Sequence, residues 1–289
     1  MDSLRNRPED SVPLFSVIVP SYGRPKYLSE ALESVLSQTV SDFELVVVDD
    51  ASPTAIAIPT HPKIRLFRND VNGGPAAARN AGLRAARGQI ITFLDDDDLY
   101  APNRLALASE GLRRSDVTIC WDAWDDGGVG KQRRLNGWVT SVIMDDINPH
   151  LGTVAVRREK VLPFDESYRS CEDVEWWLRV AQSEPVTTVE SVGLIRRRHD
   201  EPRVGYGDAQ RARDGVRLIE HHAEYFWVHR RASYFRWKRV GLATPDNKLA
   251  LKALWNSFRA VPSAKGLGHM ASRAVGLPIP RARDDRHSA

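Results

Sequence analysis

The first hundred residues alternate two hydrophobic patterns. Residues 15–20 (FSVIVP), 44–48 (ELVVV) and 89–94 (QIITFL) are short apolar runs rich in β-branched side chains. Such runs predict strands buried on both faces. Ile64–Arg68 predicts a shorter one. Between the first two runs, Leu28, Ala31, Leu32, Val35 and Leu36 share one helical face, with Glu30 and Glu33 outside it. A second helix is expected over 76–86. It is entered through Asn72-Gly73-Gly74, with Pro75 at a favoured first position, and stopped by Gly88. The order β-α-β-β-α-β predicts an α/β fold with a mostly parallel sheet flanked by helices.

The pattern is more mixed beyond residue 100. Strands are expected at 117–121, 152–156 and 186–198, a turn at 125–130 and a helix at 174–181. Helical spacing dominates 210–239 and 248–259. From Pro262 onward Gly and Pro are frequent, and the last residues are charged. The expected division is a loose tail at 1–14, a catalytic domain at 15–200 and a basic, mainly helical region at 201–289.

Composition narrows the class. Of 289 residues, 42% are hydrophobic and 27% charged, the balance of a globular protein. The 14 residues at the N-terminus hold no apolar stretch of signal-peptide kind, and no 18-residue apolar run occurs. Cys120 and Cys171 have no CxxC spacing, which suits a reduced setting and excludes a zinc ribbon. A cytoplasmic location is expected, with a peripheral place at the inner face of the membrane as an open alternative. Charge is split: residues 1–190 hold 21 basic and 29 acidic side chains, and residues 191–289 hold 20 and 9. This asymmetry points to different partners for the two ends, not to nucleic acid for the whole chain.

The candidate chemistry lies at strand ends. Asp49-Asp50 ends the second strand, and Asp95, Asp96, Asp97 and Asp98 follow the fourth. Ligands of open α/β sheets bind beyond the carboxyl ends of strands. Bunched carboxylates repel, and a divalent cation relieves that repulsion. Oxygen ligands favour Mg²⁺ or Mn²⁺, and Mg²⁺ is commonly shared with substrate phosphates. Neither GxxxxGK[ST] nor a GxGxxG after the first strand occurs, so the usual nucleotide-binding loops are missing.

Five blocks in order resemble the family 2 glycosyltransferases of GT-A fold: FSVIVPSYGR (15–24), VVVDDAS (46–52), NGGPAAARNAGLRAARG (72–88), ITFLDDDDLYAPNRL (91–105) and CEDVEWWLRVA (171–181). The resemblance spans residues 15–200. It implies a donor loop containing Pro20 and Tyr22, and a nucleotide-recognising acid at Asp50. It gives Asp96 to the donor ribose, Asp97 to the metal, and Asp95 to ribose or supporting contacts. Arg79 would approach the donor or brace the aspartates. Asp173, in the pair Glu172-Asp173, would be the general base that takes the acceptor's proton. One base opposite the leaving group implies single displacement with inversion. Ser170 and Asp173 also have the spacing of a helix cap. His199 would be a second metal ligand. Trp176 and Trp177 are expected in the core, with stacking on a sugar as the other reading for one of them.

The implied partners are a UDP, dTDP or GDP sugar and a sugar or lipid-linked acceptor. Three readings of the basic aromatic stretch 210–239 stay open: a packed helical subdomain, a peripheral membrane surface and an oligomer interface. The Gln-x-x-Arg-Trp pattern of processive synthases is not met, since Ser233 stands where the Gln would be. Single-sugar transfer is expected. A sugar-1-phosphate nucleotidyltransferase and a non-catalytic sugar-nucleotide or glycan-binding protein are the alternatives.

Overall fold

The computed structural model describes residues 12–23, 25–130, 132, 134–139, 149–198 and 208–274. The chain forms two compact units. One comprises Met1–Val139, Pro149–Glu166 and Arg179–Asp200; the other comprises Thr140–Asn148, Ser167–Leu178 and Glu201–Ala289. The division therefore differs from a single cut at residue 200. Ser167–Leu178 groups with the C-terminal helices, to which hydrogen bonds with Asp214, Arg217 and His222 tie it.

The first unit is built on one eight-stranded sheet. Its strands are β1 (Phe15–Ser21), β2 (Phe43–Asp49), β3 (Ile64–Arg68), β4 (Ile90–Phe93), β5 (Leu99–Tyr100), β6 (Val117–Trp124), β7 (Val154–Arg157) and β8 (Val186–Arg196). The spatial order is β3-β2-β1-β4-β7-β6-β8-β5. β3, β2, β1 and β4 run parallel, as the alternating pattern predicts. β7 is antiparallel to both β4 and β6, and β8 is parallel to β6. The sheet is thus mixed beyond β4.

Three helices of this unit are α1 (Pro25–Leu36), α2 (Pro75–Ala85) and α3 (Arg104–Gly111). The face of α1 carrying Leu28, Ala31, Leu32 and Val35 packs with Phe15, Val17, Val19, Leu45 and Val47 in one apolar cluster. Burial on both sheet faces explains the continuous apolar strands. Pro75 occupies the first turn of α2 behind the cap residue Gly74. The expected tail ends earlier than residue 14: the Leu14 carbonyl accepts from Ile90 N at 2.9 Å, and its N–H donates to Asp42. Residues 1–11 lie outside the described residues.

In the second unit, the helical pattern expected over 210–239 is three helices: α5 (Asp208–His221), α6 (Ala223–Val228) and α7 (Arg230–Ala243). His222 and His229 have non-helical backbone and separate them. α8 (Asn247–Ala260) is capped by Asp246, which accepts from Lys248 N and Leu249 N. α9 (Ala264–Ala274) follows, within the region expected to be mainly helical. Its Ala, Lys, Leu and Met outweigh the helix-weakening Gly266 and Gly268. α4 (Glu172–Ser183) carries the predicted acidic pair in its first turn. Among the described residues, no helix is long and apolar enough to cross a membrane.

Candidate active site

Because β2, β1 and β4 are parallel neighbours, their carboxyl ends share one edge of the sheet. Ser21, Asp50 and the run 95–98 meet there. Ser21 Oγ donates to Asp96 Oδ2 at 2.7 Å, and Asp50 N donates to the Ser21 carbonyl at 2.9 Å. Asp96 is buried, Pro20 and Tyr22 are half-buried, and Pro20 pairs with Val48 just before the edge.

Asp50 is buried and tied to the turn before α2. Its Oδ1 accepts from Asn69 Nδ2 at 2.8 Å and Gly73 N at 3.1 Å; its Oδ2 accepts from Gly74 N at 2.7 Å. A carboxylate has roughly four acceptor directions, so one remains for a ligand N–H. Gly74 sits at φ 84°, ψ 177°, a region only glycine adopts readily. Asp49 is turned elsewhere, pairing with Arg68 and accepting from Ser52 N. Among the described residues only Ala51 (φ 57°) and Cys171 (φ 65°) are non-glycines with positive φ. Each directly adjoins a predicted acid or acid pair, and backbone strain of this kind concentrates at functional sites.

The acidic run forms a turn between β4 and β5, closed by Asp98 N donating to the Asp95 carbonyl at 3.1 Å. Arg79 on α2 reaches Asp95 Oδ1 at 2.9 Å, which is the bracing contact. His150 Nε2 lies 3.5 Å from Asp95 and 3.6 Å from Asp98. Burial raises the Asp95 carboxyl, but the charges of Arg79, His150 and Arg196 outweigh it and hold the group below its ordinary range. Asp98 goes the other way. Burial, reinforced by the Asp95 and Asp97 charges, pushes its carboxyl up to about 6 against the pull of His150 and the Arg197 N–H.

One oxygen each from Asp95 and Asp98 and one nitrogen of His150 all lie within 4.8 Å of one another. Asp97, half-exposed in the same turn, is outside this trio. The carboxylates suit Mg²⁺ or Mn²⁺. His150 Nδ1 accepts from Gly152 N at 3.3 Å, which leaves Nε2 as the nitrogen that faces the two carboxylates. His199 lies outside the described residues.

Asp98 stands out from sequence only as part of the acidic run, with no role of its own, and His150 does not stand out at all. His150 is remote in the chain from the run. It arrives because antiparallel pairing sets the start of β7 beside the end of β4. Buried Arg104 then holds the turn, donating to the carbonyls of Gly152 and Val154 at 3.1 and 2.7 Å.

At the head of α4, Asp173 is half-buried and its Oδ1 accepts from Val174 N at 2.8 Å. The Ser170 hydroxyl donates to Asp214 at 2.9 Å. Trp176 and Trp177 are both fully buried, meeting edge to face at 5.5 Å, so neither is available to stack on a sugar. Burial pushes the Cys171 thiol up to about 11, which disfavours its thiolate.

Residues 16–158 match the family model described as glycosyl transferase family 2. An uncharacterised glycosyltransferase of Rickettsia felis is 29% identical over 191 residues, 61% of this chain and 31% of that protein. The Escherichia coli protein WfgD is named UDP-Glc:alpha-D-GlcNAc-diphosphoundecaprenol beta-1,3-glucosyltransferase. It is 27% identical over 184 residues, covering 61% of this chain and 73% of its own. The chain spans about a third of the length of several curated relatives that it matches. Among solved structures, S. aureus TarS 1-349 in complex with UDP aligns with a TM-score of 0.63 at 19% identity, covering 91% of this chain and 92% of TarS 1-349. The mannosyltransferase PcManGT from Pyrobaculum calidifontis, in complex with GDP-Man and Mn²⁺, aligns at 0.56 and 22%, covering 92% and 81%. The expected GT-A fold is the one found. Ordered sequence blocks, sheet topology and family match agree: residues 16–158 carry a family 2 glycosyl transferase domain.

Proposed function

We propose that this chain moves a single sugar from a nucleotide-diphosphate sugar to an acceptor hydroxyl, with inversion, in the synthesis of a cell-envelope polysaccharide or related glycoconjugate. The observation that carries the reading is the shared strand edge, where Ser21, Asp50 and residues 95–98 come together in a chain that carries this domain. Asp50 keeps an acceptor direction for a base N–H, and Asp96 takes the donor ribose. Asp97, with Asp95 and Asp98 beside it, would hold Mn²⁺ or Mg²⁺. Bound there, the cation offsets the charge that develops on the leaving diphosphate. Asp173 takes the acceptor's proton. The UDP, UDP-GlcNAc and GDP-Man complexes of the structural neighbours support a nucleotide-sugar donor.

A thermal-shift screen of UDP, dTDP and GDP sugars with and without Mn²⁺ tests this, because a ligand of the folded state raises its melting temperature. A metal-dependent shift with one base is expected. Pyrophosphate release from a nucleoside triphosphate and a sugar 1-phosphate would instead select the nucleotidyltransferase reading.

The second unit supports a lipid-linked acceptor. Residues 222–274 carry ten Lys or Arg against two acidic residues. Trp227, Val228 and Trp255 are exposed large apolar side chains. Arg230 lies over Trp227 at 5.9 Å and donates to the Arg259 carbonyl, one turn beyond Trp255. Exposed tryptophans among cations match an anionic lipid surface.

A further inference from the structure

α5 presents a stripe of polar residues, Gln210, Asp214, Arg217 and His221, at the spacing of one helical face. Each meets the segment that leads into α4 or the residue that does. Asp214 Oδ2 accepts from Arg169 N at 3.2 Å, Ser170 N at 2.8 Å and Ser170 Oγ at 2.9 Å. Its Oδ1 accepts from Gln210 Nε2 at 2.9 Å. Arg217 donates to the Ser167 carbonyl at 3.1 Å, and His221 Nδ1 meets the Tyr168 hydroxyl at 3.3 Å. Just beyond α5, His222 Nε2 lies 3.2 Å from the buried Glu175 carboxylate on α4.

The bonds bracket one strained residue. Cys171 follows Ser170 at φ 65°, and a left-handed non-glycine costs about 1–3 kcal/mol unless its surroundings enforce it. Asp214 is 3% exposed, so its charge is stabilised by these donors and little by water. It fixes both the amide and the hydroxyl of Ser170, and so the direction in which the chain enters Glu172 and Asp173. The Ser170 hydroxyl thus donates to a buried carboxylate 44 residues away.

We infer that Asp214 is a positioning residue for the reaction: through Arg169 and Ser170 it holds the Cys171 kink and thereby aims the Asp173 carboxylate. This rests on the reading of Asp173 as the base.

The test compares full-length native protein with Asp214→Ala, Asp214→Asn and Asp173→Asn. Amide hydrogen exchange over residues 167–175 needs no substrate. Asp214→Ala is expected to speed exchange at 169–173 by about tenfold or more, with the rest of the second unit unchanged. Turnover is read as release of UDP, dTDP or GDP from UDP-glucose, UDP-GlcNAc, dTDP-glucose and GDP-mannose with Mn²⁺. It should fall at least about tenfold, the scale of a misplaced catalytic group, while the donor concentration giving a half-maximal thermal shift stays within about twofold. Asp214→Asn keeps one acceptor oxygen and should lie between native and Ala; it serves in place of Asp214→Ala if the latter does not fold. Native-like exchange at 169–173, undiminished turnover, or donor affinity falling in step with turnover would each overturn the inference. Full turnover by Asp173→Asn instead removes the base reading, whatever Asp214→Ala does.

Discussion

The guanidinium of Arg79, reaching from α2, lies 2.9 Å from the Asp95 carboxylate at the end of β4, and the Arg79 side chain is only 6% exposed. The pair ties the helix after the Gly-Gly turn to the acidic run. Removing one member of a fully buried pair costs about 3–5 kcal/mol. Asp95 retains partial contact with water, so Arg79→Met should cost less, on the order of 1–3 kcal/mol. Urea unfolding measures it. A midpoint unchanged from native would show that the pair has no part in holding the turn.

Asp97→Ala removes the proposed metal carboxylate from an already half-exposed position. Native-like melting without ligands is expected, together with loss of the Mn²⁺-dependent part of the nucleotide-sugar shift. Retention of that part would place the cation on the Asp95, Asp98 and His150 trio instead.

Asp173→Asn keeps an oxygen for the Val174 N–H and loses only basicity. Transfer should fall by about 100-fold or more, the usual contribution of a positioned base, with donor binding intact. Undiminished transfer would rule out this residue as the base.

Asp98 makes stability depend on pH. Its carboxyl titrates at about 6 in the folded chain against an ordinary 3.8. Between about pH 4 and pH 6 the folded state therefore binds a proton that the unfolded state has lost. Stability falls as pH rises through that window and is level above it, a loss on the order of 2–3 kcal/mol. Asp98→Asn keeps an acceptor for the Arg197 N–H and removes the penalty. In EDTA it should melt higher than native at pH 7.5 and close to native at pH 4. Equal melting differences at both values would contradict the raised titration.

Replacing Trp227 and Trp255 together by alanine should weaken cosedimentation with vesicles containing anionic lipid by about tenfold, with less effect on neutral vesicles. The exposure of both rings makes a folding defect a poor alternative explanation. Native binding by the double variant would remove the membrane surface.

Much of the first unit can be read along the chain because its signals are local. β1, β2, β3, β4, α1 and α2 follow from runs of β-branched residues, one amphipathic face and the Gly-Gly-Pro entry to a helix. Asp50 and the run 95–98 stand out because they directly end strands, and parallel order alone brings strand ends together. α3 and β5 carry weaker patterns, and the breaks at His222 and His229 have no turn residue to announce them.

The amino-acid order by itself determined the parallel half of the sheet, the family's ordered blocks and which acids end its strands. Only the tertiary structure decided which distant groups meet those acids. His150 reaches Asp95 and Asp98 through the antiparallel pairing of β7 with β4. Asp214 on α5 reaches the amide and hydroxyl of Ser170 across 44 residues of chain. The physical reason is the same in both cases. A strand or helix announces itself through the periodicity of its own side chains, whereas a contact between remote residues depends on strand direction and on where buried charge finds donors.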